Sequence, residues 1–176
     1  GLAARQVYTP RWAHCDDNHA WVEVWVNGEW HFLGACEPEE KLDRGWFTGP
    51  AGQALLIHSR TFGDYAAGKR EEVIGRDGAV VCHNVTASYT KTRKLRIQVR
   101  KQDNTPAAHA QISVEILNMA EYFPAAVLET DEQGATSIRL GLGDIRLQAR
   151  SEGKFVERYC NLAEDGVGAA DVDCAV

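Results

Sequence analysis

Apolar and polar positions alternate along most of the second half of the chain. "KLRIQVR" (Lys94 to Arg100) alternates cleanly, and the polar turn "KQDNTP" separates it from "AQISVEIL". "FPAAVLET", "ATSIRL", "DIRLQAR" and "KFVERYC" follow, broken by "DEQG", "GLG" and "SEG". Runs this short with a period of two predict strands, and strands at this spacing predict an antiparallel β-sandwich. The tail "NLAEDGVGAADVDCAV" predicts a loop and a last strand. Residues 91–176 are therefore expected to form one sandwich domain, and residues 1–90 a separate unit.

The first unit reads differently. "ARQVYTP" predicts a strand ended by Pro10, and "TGPAGQALLIHSRTF" predicts a helical turn after Pro50 that ends as a strand. "NHAWVEVWV" and "EWHFLG" flank Asn27-Gly28, the pair that favours a two-residue hairpin turn. In that register Trp25 opposes Trp30, Glu23 opposes Phe32, Trp21 opposes Gly34 and His19 opposes Cys36. Alternation then places His19, Trp21, Glu23 and Trp25 on one face with Trp30, Phe32, Gly34 and Cys36. Val22, Val24, His31 and Leu33 take the other face.

A histidine at the end of a tryptophan-lined face is a candidate general base, because indoles shield the imidazole and hold its pKa near neutrality. The alternative is a strand cap, with His19 bonded to Asp16 or Asp17. Nothing in the sequence converges on the other five histidines.

Composition narrows the function classes. The chain has 176 residues, 19 Lys and Arg against 25 Asp and Glu, and a net charge of −6 without a basic stripe. Nucleic acid is not an expected partner. No apolar run approaches the roughly 18 residues of a membrane span, and "GLAARQVYTP" lacks the apolar core of a signal peptide. None of the five cysteines sits in a CxxC pair, so neither a structural zinc nor another metal centre is expected, and no cofactor is implied. Cys160 and Cys174 either pair across the last two strands, as suits an exported protein, or stay as buried thiols. Asn84-Val85-Thr86 fits a glycosylation sequon, a triplet common by chance.

Three motifs occur in order: G-x-x-A-R-x-V from Gly1, D-x-H-A-W-V-E-V from Asp17, and W-x-x-L-x-x-C-E from Trp30. Over residues 1 to 65 the chain resembles the C-terminal part of a bacterial transglutaminase-like domain of the papain-like superfamily. The resemblance implies the β-rich half of an α+β domain, in which a cysteine at a helix start attacks an amide and the histidine of H-A-W is its base. Carried over, His19 is the general base, and Trp21, Trp25 and Trp30 wall a cleft for a peptide or protein amide substrate. The family's cysteine precedes the G-x-x-A-R lead-in, so the nucleophile is expected upstream of Gly1 and this chain by itself is expected to be inactive.

The acid that orients the histidine falls at Gly34, and glycine cannot orient an imidazole. Asp17 is the favoured substitute, over Glu37. Cys36, across from His19, is a further candidate thiol, without the helix start that lowers a thiol pKa. Residues 93–176 resemble the carboxypeptidase-regulatory or prealbumin-like sandwiches of large secreted bacterial enzymes, which implies a periplasmic or cell-surface setting. The competing expectation is an inactive module that binds peptide or glycan through its tryptophan face, with the sandwich as spacer. An exposed face of that kind would also favour homodimerisation.

Overall fold

The computed structural model describes residues 1–63, 65–162 and 169–176. Within them, thirteen strands are joined by one turn of α-helix (α1, Thr48–Ala51) and one 3-10 turn (Thr86–Ser88). The protein is thus mainly β, and the helical layer implied by an α+β domain is not among the described residues. The first six strands are β1 (Ala4–Thr9), β2 (His19–Val26), β3 (Glu29–Leu33), β4 (His58–Phe62), β5 (Glu72–Asp77) and β6 (Val80–Asn84). They form one sheet in the order β3-β2-β1-β4-β6-β5 with antiparallel pairing throughout.

The remaining strands are β7 (Thr92–Arg100), β8 (Gln111–Asn118), β9 (Glu121–Glu129), β10 (Ala135–Gly141), β11 (Asp144–Ser151), β12 (Lys154–Asn161) and β13 (Ala169–Ala175). Two sheets, β10-β7-β13 and β12-β11-β8-β9, face each other across a common core. Leu95, Ile97, Ile138 and Leu140 of the first sheet pack against Ile112, Val114, Ile145 and Leu147 of the second. Each predicted strand of this half forms, and alternation buries one face of β7, β8, β10 and β11, while β9 and β12 are mostly half-buried or exposed. One expectation is corrected: β13 runs parallel to β7, so the three-stranded sheet is mixed rather than antiparallel. The loop expected in the tail falls largely on residues 163–168, outside the described residues.

Asn27 and Gly28 both take positive φ (53° and 88°), as a type I′ turn requires, and they set the register of the β2–β3 hairpin. The predicted pairs hold from Val26↔Glu29 to Val22↔Leu33, where β3 ends. Trp21↔Gly34 and His19↔Cys36 are therefore not pairs of the ladder, and His19 is instead opposed by Thr9 of β1. The chain turns at Gly34: a Cβ built there would lie 2.6 Å from the carbonyl oxygen of Glu37. This close approach is the physical reason for glycine at a position where the resemblance expects an acid.

The helical turn also departs from expectation, since Pro50 lies inside α1 rather than before it. The first sheet and the sandwich are in direct contact. Leu55 and Leu56 join the sandwich core, Gly141 N–H donates to the Leu55 carbonyl at 2.9 Å, and Asn118 donates to the Trp12 and Cys15 carbonyls. Asn84 of the sequon is buried, and its amide donates to the Arg139 carbonyl and to Glu72. It offers no surface for a glycan.

Candidate functional site

His19 opens β2 beside a loop that folds back on itself, with Trp12 N–H donating to the Asp17 carbonyl. Its half-buried ring is enclosed by Trp46 (4.6 Å between centroids), Phe47 (5.1 Å), Trp21 (5.8 Å) and Trp12 (6.3 Å). Trp46 is largely exposed, so this aromatic box opens to solvent on one side. Burial lowers the His19 pKa, while the charges of Asp17 and then Glu37 act in the opposite sense. The net direction leaves a neutral imidazole at pH 7.

Neither acid touches the ring. Asp17 accepts the Asn18 backbone N–H at 2.7 Å, and no hydrogen bond joins it to His19 among the described residues. Glu37 lies beyond the end of β3, so strand alternation does not govern its direction. No hydrogen bond links any of the five cysteines to His19 among the described residues. Cys36 is exposed, and Cys15 is half-buried against the aromatic core. The sulfur–imidazole contact that does form is Cys82 Sγ to His58 Nδ1 at 3.5 Å, on β6 and β4. Burial raises the Cys82 pKa, and burial and then Arg60 push that of His58 down to about 4. Both groups are uncharged at neutral pH, so this contact is not a thiolate–imidazolium pair.

The three tryptophans separate. Trp21 is 1% exposed, lies between Trp12 and Phe47, and donates its indole N–H to Tyr89 at 2.8 Å. It is a core residue, on the same face of the sheet as Trp25 and Trp30 but covered by Trp12 and Phe47, so it does not line the cleft that they line. Trp25 and Trp30 stand edge to face at 5.2 Å, and both line a cleft of about 1220 Å³. This cleft lies between β1 and β4, which pair only at Val7↔Ser59 and Tyr8↔His58 and then diverge.

Beneath the cleft runs a polar chain that the motifs did not reveal. Tyr89 donates to Glu23 at 2.5 Å, and Arg5 Nε donates to Glu23 at 2.5 Å. Arg5 also pairs with Glu71 at 2.7 Å, and Tyr65 joins Glu71 to the Trp30 indole N–H. The Arg5 guanidinium lies 4.2 Å from the Trp30 ring centroid. Burial works against the Arg5 charge, but Glu23 and Glu71 outweigh it and hold the pKa above its ordinary value. Glu71 is likewise held low despite burial, by the Gly68 N–H and by Arg5. The pairing of Arg5 with Glu23 was open to a register argument, since β1 and β2 oppose them directly. Glu71 and Tyr65 come from a loop with no periodic signal.

No family model matches this chain, and no curated protein does. Among solved structures, a streptococcal ancillary pilin is similar at 8% identity and a TM-score of 0.38. That similarity covers 98% of this chain and 61% of the pilin chain. Among the described residues, no helix is long and apolar enough to cross a membrane.

Proposed function

We propose that the first unit is the base-bearing part of an exported transglutaminase-like thiol acyltransferase or amidase acting on peptide or protein amides. The observation that carries this reading is His19, a half-buried imidazole in an aromatic box with one open side and a lowered pKa. Such a group has a free lone pair at neutral pH and can accept a proton. Since none of the five cysteines is hydrogen-bonded to it, the thiol would come from another segment of the protein. The thiol proton would pass to His19, and the thiolate would attack the amide carbonyl. The departing amine would take that proton back, and water or a second amine would resolve the thioester. Asp17 and Glu37 would act through their charges, favouring the imidazolium formed midway.

Native alkylation of the full-length protein, resolved by cysteine and by pH, tests this reading. One cysteine outside the 176 residues is expected to titrate below about 8.5, the free-thiol value. His19→Ala should remove that reactivity. If no thiol in the full-length protein responds to His19, the enzymatic reading fails.

A second reading rests on a separate observation, the cleft beside Trp25 and Trp30. It makes the unit a binding module for a peptide or a glycan, whether or not His19 has a thiol partner.

A further inference from the structure

The cleft has an unusual origin, since it is a split within one sheet. Antiparallel continuation of the β1–β4 ladder would set Gln6 opposite Arg60, Arg5 opposite Thr61 and Ala4 opposite Phe62. None of these pairs forms. The Ser59 hydroxyl donates to the Gln6 carbonyl at 2.9 Å, where the strands begin to part. Beyond that point each strand keeps its outer neighbour, β2 for Ala4–Gln6 and β6 for Arg60–Phe62, and has no ladder partner on the cleft side. Two strand edges thus face one opening, and such an edge accepts an added strand through its main-chain groups.

Size and charge restrict the guest. At about 1220 Å³ the cleft exceeds the roughly 300–1,000 Å³ of ordinary small-molecule pockets. Trp25, Phe62 and Tyr65 supply apolar wall, and Phe62 is 74% exposed. The chain as a whole has 25 acids to 19 bases, yet the described residues lining the cleft include two arginines and no carboxylate. Arg5 is already held by Glu23 and Glu71, which leaves exposed Arg60 as the cation offered to a guest.

We infer that this cleft binds an extended peptide segment carrying a carboxylate, which adds to a free strand edge and places its acid on Arg60. Arg60 and Phe62 project from the same face of β4, one side-chain repeat apart, about 7 Å. A bound strand has the same repeat, so the favoured segment has an acidic residue with an apolar residue two positions away. This inference rests on the binding reading and is independent of His19.

The test uses three capped heptapeptides, Ac-Thr-Val-Thr-Glu-Thr-Val-Thr-NH2 and its versions with Gln or Lys at the centre, titrated into the 15N-labelled chain. The Glu peptide is expected to shift the amides of Ala4–Gln6 and Arg60–Phe62 and to bind at least fivefold more tightly than the Gln peptide. In Arg60→Gln, an exposed substitution whose fold the same spectra verify, that advantage should vanish. Equal binding of the three peptides, or preference for Lys, overturns the carboxylate inference but leaves the binding reading standing. The same holds if no peptide binds while cellohexaose shifts the Trp25 and Trp30 indoles. If neither probe binds at millimolar concentration, the inference and the binding reading fail together.

Discussion

Arg5 on β1 and Glu23 on β2 are opposed residues whose side chains, each 4% exposed, meet at 2.5 Å beneath the first sheet. A buried ion pair is costly to break, because the remaining partner keeps its desolvation penalty without its compensation. Arg5→Met would strand two carboxylates, Glu23 and Glu71. The expected loss is about 3–5 kcal/mol by urea unfolding. Adding Glu23→Gln to that variant should recover part of it. Additive losses would show that the pair contributes no coupling.

His58 supplies a pH dependence. Its folded pKa, about 4, lies below the unfolded value of about 6.5. Between these values the unfolded chain binds a proton that the folded chain does not. The stabilisation is therefore complete above pH 6.5 and is lost as pH falls toward 4, by up to about 3 kcal/mol. His58→Gln should flatten the stability profile in that window. An unchanged slope would mean that His58 is protonated in the folded state.

Gly34→Ala tests the turn that ends β3. The added methyl would meet the Glu37 carbonyl at 2.6 Å, and a backbone oxygen cannot swing aside as a long side chain can. A loss of about 1–3 kcal/mol in chemical denaturation is expected. A neutral substitution would show that the 34–37 turn adapts, and the glycine would then need another explanation.

The tryptophans should divide by location rather than by motif. Trp21→Ala removes a fully buried indole and is expected to cost about 3–5 kcal/mol. Trp25→Ala, at a 43% exposed position, should cost about 1 kcal/mol or less. Comparable losses in the two unfolding curves would contradict the separation of core from cleft.

Asn27-Gly28 shows how far local chemistry reached. Two positive φ angles admit one kind of turn, and the turn sets the register for four pairs beyond Val26↔Glu29. Where β3 stops, the register argument stops too, and His19 and Cys36 are not a ladder pair. The β5–β6 hairpin is closed differently, by Gly78-Ala79 between the paired Asp77 and Val80, with a positive φ at Gly78 (56°) and not at Ala79. Trp21 was placed on the correct face, but a face says nothing of what covers it. Trp12 and Phe47, from loops on either side, bury it.

What the sequence by itself determined was therefore the strand pattern: alternation marks a strand whatever it packs against, because the pleat has a period of two. The box around His19, the Arg5–Glu23–Glu71 chain and the split between β1 and β4 were decided by tertiary structure. They join residues as far apart as Arg5 and Glu71, whose proximity depends on how six strands order themselves in a sheet. No local periodicity encodes that order, since each strand can satisfy its hydrogen bonds with several partners, and burial across the whole sheet selects among them.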